Sequence, residues 1–212
     1  MRVLMTGFEP FGGEQINPSW MAVQRVAEQL PDLVVCHQLP TVFGAALEEL
    51  RVAIEDHRPQ VVICTGQAGG RPSISLERVA INLMDARIPD NAGQQPIDEP
   101  IFEGAPSAYF TTLPVKRLRQ QLTAQGVPSD ISYTAGTFVC NDVFYGLMHD
   151  LSTRHTGIKG GFVHVPYLPE QVSGRGWEPS MALETIVRGL VIVAQECAQN
   201  PAEIVAVGGN IC

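Results

Sequence analysis

The chain has 212 residues, 45% hydrophobic and 17% charged, and 14 Lys plus Arg against 22 Asp plus Glu leave a net charge of −8. That length suits one folded domain, residues 1–212, with a core large enough to need no disulfide or metal, and the apolar content excludes intrinsic disorder. The acidic balance argues against nucleic acid or an anionic membrane as partner, and no apolar run approaches the ~18–20 residues that span a bilayer.

Met1–Phe8 reaches Thr6 and Gly7 before an apolar signal core could build, so a cytoplasmic protein is expected. Arg2–Thr6 reads as a strand ending in a Gly/Pro-rich loop, Gly7–Gln15. Asn17 then caps a helix with Pro18 at its first position, and Trp20, Val23, Ala27 and Leu30 keep helical spacing. Leu33–Leu39 is a second strand; Phe43, Leu47, Leu50 and Ile54 mark a second helix, stopped by Pro59. Gln60–Thr65 is continuously apolar, as a central parallel strand covered on both faces should be.

Ile74–Leu83 alternates and reads as extended, whereas Asp85–Thr112 is rich in Pro, Gly and Asp and reads as one long loop. Val115, Leu118 and Leu122 mark a helix ended by Gly126, Asp130–Thr134 is a strand, and a helix starts near Cys140. Gly161–Val165 is a strand and Pro179–Gln199 a long amphipathic helix. The alternation predicts an α/β fold, a mostly parallel twisted sheet with helices on both faces (an α/β/α sandwich). Ligands of such sheets bind beyond the C-terminal strand ends, which picks out the loops after Thr6 and Thr65, the turn at Cys140, and His164.

The five cysteines, Cys36, Cys64, Cys140, Cys197 and Cys212, are scattered and lack C-x-x-C, so they read as reduced thiols. Cys64, inside an apolar strand, reads as core. Cys140 sits where a helix begins, and the partial positive charge there should lower its pKa and hold an oxyanion. It could equally be a buried helix-start cysteine. His164 alone would read as a core histidine; beside a strand-end thiol it becomes the base that a thiolate needs. The other histidines, His37, His57, His149 and His155, read as surface, and no spacing suits a metal.

Glu77 stands among alternating apolar residues, where a carboxylate must be paired. It is an ion-pair partner of Arg78, part of a solvated strand face, or the third member of a triad, orienting an imidazole. Phe8 and Phe11 flank Pro10 on a strand-end loop and would wall an apolar pocket. The Gly66–Arg71 loop invites the alternative of a phosphate- or nucleotide-binding protein, but it has neither G-x-G-x-x-G nor Gly-Lys-Ser/Thr.

Two long motifs sharpen the reading: GQAGGRPSISLERVAIN (Gly66 to Asn82) and SYTAGTFVCN (Ser132 to Asn141). With TGFEPFGGEQINPSW, DARIPDN (Asp85 to Asn91) and HVPYLPEQ (His164 to Gln171), the chain resembles the pyroglutamyl peptidase type I (pyrrolidone-carboxylate peptidase) family of cysteine peptidases over nearly its whole length. The resemblance implies Cys140 as nucleophile, His164 as base and Glu77 as its orienting carboxylate. It places Phe8, Phe11, Asn17, Gln67, Phe138 and Val139 at the pyroglutamyl pocket and Arg87 near the oxyanion. It also implies substrates with an N-terminal pyroglutamate, a homotetramer, no metal and no organic cofactor. Glu9 stands where Asp is common in the family.

Overall fold

The computed structural model describes residues 1–209, so Cys212 lies outside the described residues. The main sheet comprises β1 (Val3–Phe8), β2 (Val34–Leu39), β3 (Val61–Gln67), β4 (Ile74–Glu77), β7 (Ser129–Ser132) and β8 (Lys159–Val165), in the order β2-β1-β3-β8-β4-β7. A second, two-stranded sheet joins β5 (Val79–Ile81) to β6 (Ala108–Phe110). The helices are α1 (Pro18–Gln29), α2 (Ala45–His57), α3 (Val115–Ala124), α4 (Val139–Thr153), α5 (Pro169–Val172) and α6 (Leu183–Ala198). β2, β1, β3 and β8 are mutually parallel; β4 runs antiparallel to β8 and parallel to β7. The mostly parallel α/β architecture expected from the sequence is therefore present.

Strand alternation sorts the core into two layers. Val3, Met5, Ile63, Ile74, Leu76, Val163 and Val165 face α1, α3 and α6, packing on Val23, Leu118 and Leu190. Leu4, Val62, Cys64 and Phe162 face α2 and α4, packing on Leu47, Leu50, Val143, Phe144 and Leu147. Because side chains alternate with period two, Gly66, Glu77 and His164 belong to the second face, beneath the start of α4. β3 is buried at every residue, as its unbroken apolar run requires.

Asn17 caps α1 as expected: its Oδ1 accepts from Ser19 N at 3.1 Å, and Ser19 Oγ accepts from Phe8 N at 3.0 Å, locking the helix start to the end of β1.

Beyond shifts of one or two residues at strand ends, the elements differ from the sequence pattern in these places. The Ile74–Leu83 stretch breaks at Arg78, whose N–H donates to Ser132 O at 2.7 Å and whose carbonyl accepts from Thr111 N at 3.1 Å, so the chain leaves one sheet for the other. Asp85–Thr112 contains β6, three residues too short to show periodicity and fixed by pairing with β5. The strand sought at Asp130–Thr134 is Ser129–Ser132. The last helix begins at Leu183, not Pro179, because Ser180 bridges to Tyr167 and Met181 N donates to Tyr167 O at 2.9 Å. His149 is not a surface residue: Tyr109 Oη lies 3.0 Å from its Nδ1 and the ring sits among Phe102, Tyr109 and Tyr145.

Asp142, 2% exposed in the first turn of α4, accepts from Gly44 N at 3.0 Å and so ties α4 to the start of α2. Burial pushes its carboxyl up to about 6, only partly offset by the Gly44 N–H and the charge of Arg51. A folded-state value above the unfolded one means that the native state holds the extra proton between the ordinary value of 3.8 and about 6. Stability therefore falls as pH rises through that window. Asp142→Asn keeps an acceptor for Gly44 without the charge. It is expected to stabilise the protein above pH 6 by up to about 3 kcal/mol, several degrees in Tm, with no gain near pH 4. Thermal scans at both pH values check this; an equal gain at both would remove charge as the cause.

Candidate active site

The antiparallel register pairs Ser75 with His164, so Glu77, two residues on and on the same face, is the diagonal neighbour of His164. Its Oε1 lies 2.7 Å from His164 Nδ1. The neighbouring ladder pairs His164 with Gly66, and here glycine is required: a Cβ would stand 2.7 Å from Cys140 Sγ. Sheet register thus brings His164 and the Cys140 thiol onto one face.

Cys140 arrives differently from the strand-end expectation. β7 runs with β4, against β8, so its C-terminal end does not point the way those of β1, β3 and β8 do. Residues 133–138 carry the chain back over the sheet, and α4 begins there. Asn141 anchors the helix start to the second sheet, accepting from Ile81 N at 3.1 Å and donating to Ile81 O at 2.9 Å and Leu83 O at 3.0 Å. Phe138 occupies the N-cap position in extended conformation, and no side chain caps the helix, which leaves first-turn N–H groups for a ligand.

Cys140 and His164 line a common cavity of about 390 Å³ with Phe11, Gln67, Arg71, Asp85, Arg87, Ile88 and Phe138. That volume suits a small ligand. Phe138 packs at a tilt on Phe11, 5.9 Å between centroids, and edge-on at 5.2 Å on Phe43. Gln67 Oε1 accepts from Gln171 Nε2 at 2.8 Å, turning its own amide NH₂ away from that partner. Of the residues expected at the pocket, Phe11, Gln67 and Phe138 are on its wall, and Arg87, expected near the oxyanion, lies there too. Phe8, Asn17 and Val139 are buried behind it: Phe8 packs on Phe162, and the Asn17 amide is engaged with Ser19 and with Glu9 O. A larger hollow of about 480 Å³ lies beyond Phe43 and Met84 and contains none of Glu77, Cys140 or His164.

Glu77 is fully buried. Burial pushes its pKa up, but the His164 hydrogen bond and charge, with the charge of Arg71, more than offset this and hold it below its ordinary value. An ionised carboxylate only accepts, so the proton of the shared hydrogen bond sits on His164 Nδ1 and Nε2 is the basic nitrogen. Phe162 packs against the imidazole at 4.8 Å between centroids and helps fix its plane.

Two sequence expectations are corrected. The ion-pair partner of Glu77 is Arg71, at 2.6 Å, while Arg78 lies over the Phe110 ring at 5.5 Å. The Cys140 thiol is not depressed: burial, with Glu77's charge adding to it, pushes it up to about 12, and Arg71 only partly counters. Desolvation is the largest cause of that rise. Cys36, Cys64 and Cys197 are raised too, mainly by burial. Arg71, Asp85 and Asn141 are also parts of this site that the sequence reading missed; all three stand inside the motifs that carry the family resemblance, which was the available signal.

Arg71 donates to Glu77, to Ser132 Oγ at 3.3 Å and to Thr134 O at 2.9 Å, so its guanidinium is already engaged and the Gly66–Arg71 loop has no free cation for phosphate.

A family model for pyroglutamyl peptidase matches residues 1–200. The pyrrolidone-carboxylate peptidase of Brevibacillus brevis is 51% identical over 211 residues, 99% of this chain and 98% of that one. That of Bacillus subtilis is 51% identical over 212 residues, with the same coverage. The crystal structure of Bacillus amyloliquefaciens pyroglutamyl peptidase I superimposes with a TM-score of 0.93 at 51% identity, covering 96% of this chain and 99% of that one. A mutant pyrrolidone carboxyl peptidase from the hyperthermophile Pyrococcus furiosus superimposes with a TM-score of 0.90 at 43% identity, covering 94% and 99%. With a matching family model over most of its length, relatives of equal length and a shared fold, the chain belongs to the pyroglutamyl peptidase family.

Proposed function

We propose that the protein is a cysteine peptidase that removes N-terminal pyroglutamate from peptides, with Cys140 as nucleophile, His164 as base and Glu77 as the carboxylate orienting it. The observation that carries this reading is the Glu77–His164 hydrogen bond of 2.7 Å, in a cavity that His164 shares with a cysteine at an uncapped helix start. With its pKa near 12, Cys140 rests as the thiol, so Nε2 of His164 takes the proton as Sγ attacks the carbonyl after the 5-oxoprolyl ring. The oxyanion is held by α4 first-turn N–H groups, with Arg87 on the adjacent wall. His164 then gives its proton to the departing amine as the C–N bond breaks. Water, activated by the same nitrogen, hydrolyses the thioester and frees pyroglutamate.

The ring packs on Phe11 and Phe138, and the amide NH₂ of Gln67 donates to the lactam carbonyl. Phe8, Asn17 and Val139 support that wall from behind. Homotetrameric assembly and a cytoplasmic location belong to the same reading; exposed Phe110, Val205 and Val207 supply nonpolar surface for assembly.

Substrate preference tests the proposal. A prolyl group has the same ring but no lactam carbonyl, and it carries a protonated amine. It leaves the Gln67 donor unpaired and places a charge against two phenyl rings, only partly offset by cation–π attraction. Sites that hydrogen-bond a missing group discriminate by ~10⁴–10⁵, whereas a methylene-sized difference yields only ~10–200-fold. Pyroglutamyl-naphthylamide should exceed prolyl-naphthylamide by at least roughly 10³ in kcat/KM. Comparable rates on the two would sink the pyroglutamyl reading.

A further inference from the structure

We propose that Arg71 is a positioning residue of this site, holding Glu77 ionised and aimed at His164 while fastening it to the segment that carries Cys140. The inference rests on the triad reading above. Glu77 Oε1 accepts two donors at once, His164 Nδ1 at 2.7 Å and Arg71 Nη1 at 2.6 Å, while Oε2 is buried with no hydrogen-bond partner among the described residues. A carboxylate at 0% exposure with one oxygen unpaired needs a permanent counter-charge, because a neutral imidazole supplies none in the resting state. Among the described residues Arg71 is the Lys or Arg that makes an ion pair with it.

The geometry reaches further than charge. While Nη1 holds Glu77, Nη2 donates to Thr134 O at 2.9 Å, and Nη1 also reaches Ser132 Oγ at 3.3 Å. Ser132 Oγ in turn donates to Thr134 O at 3.0 Å. Ser132 ends β7, and Thr134 lies in residues 133–138, the return segment that delivers Cys140. One planar fork therefore joins the carboxylate of β4 to the backbone that sets the nucleophile, a bidentate task that suits guanidinium and not ammonium. Arg71 is aimed inward by the turn after β3, where Gly70 adopts a φ of +81°. Its side chain is 29% exposed and lies on the cavity wall, but both terminal nitrogens are committed to protein.

The experiment compares wild type, Arg71→Gln and Arg71→Lys on pyroglutamyl-naphthylamide across pH. Arg71→Gln should lower kcat by roughly 10- to 100-fold with KM little changed. Having lost a neighbouring cation, the Glu77–His164 pair should hold its proton to higher pH, so the acid limb of kcat/KM moves up. Arg71→Lys should return that limb to its wild-type position, because the charge is restored. It should recover only part of kcat, because one ammonium cannot serve Glu77 and Thr134 O with the same fork. The downfield Nδ1–H proton signal of His164, followed by NMR against pH, should show the same displacement without turnover. A wild type that cleaves no pyroglutamyl compound would overturn the proposed function and leave that titration to decide Arg71. An unmoved acid limb and NMR midpoint in Arg71→Gln would overturn the positioning role, as would a rise in KM at unchanged kcat.

Discussion

Cys140→Ala should lower kcat on pyroglutamyl-naphthylamide by roughly 10⁵- to 10⁶-fold, the scale on which removing a nucleophile disables a triad enzyme. The residual rate would come from binding and the oxyanion site alone. The fold should survive, because the change removes one sulfur from a half-buried position at a helix start and leaves the Asn141 anchor in place. Cys140→Ser should be almost as inactive. Burial already holds the thiol near 12, and a hydroxyl in the same desolvated position is a far weaker acid for His164 to deprotonate. Circular dichroism and a progress-curve assay separate loss of chemistry from loss of fold. A folded Cys140→Ala protein with more than a few per cent of wild-type turnover would remove Cys140 as nucleophile.

Glu77→Gln should lower kcat by roughly 10²- to 10⁴-fold, the upper figure being the loss seen when a triad carboxylate becomes an amide elsewhere. Glu77 Oε1 serves both His164 and Arg71, and Oε2 has no hydrogen-bond partner among the described residues, so an amide has two poor choices. With its oxygen toward both donors, it keeps the tautomer but buries an unsatisfied NH₂ and loses the charge that stabilises imidazolium. Reversed, it donates to Nδ1, moves the proton to Nε2 and leaves the thiol without a base. Either way kcat falls while KM stays nearly constant, which steady-state kinetics on purified protein would show. The same residue has a signature in stability. Its folded pKa lies below the ordinary value, so its contribution is present at neutral pH and lost as pH falls through the lowered value. Wild-type kcat in the variant would return Glu77 to a purely structural ion pair with Arg71.

Long, strongly patterned elements were legible in the sequence. The run through β3, the Asn17–Pro18 helix start and the spacing of α4 each state a local preference that tertiary packing did not have to override. Short pieces were not. β6 has three residues, and its strand character comes from pairing with β5 across a long loop, so no window of sequence contains the cause. The start of α6 was misplaced for a similar reason: the extended Ser180 belongs to a bridge with Tyr167.

The site divides along the same line. Sequence by itself singled out the side chains proposed to bear the chemistry: one cysteine at a helix start, one histidine at a strand end and one carboxylate that could not be buried alone. It also fixed their faces, because period-two alternation in β4 and β8 puts Glu77 and His164 on the side opposite Leu76 and Val163. What only the tertiary structure decided was who meets whom. The antiparallel register that makes Glu77 diagonal to His164, the reversed course of β7 and the reach of Arg71 from a glycine turn to the Cys140 segment are all long-range. Tertiary structure also reversed the expected direction of the thiol's pKa. A helix terminus is a local feature that a sequence displays, whereas desolvation depends on every atom packed around the sulfur, and at Cys140 desolvation is the largest cause of the raised pKa.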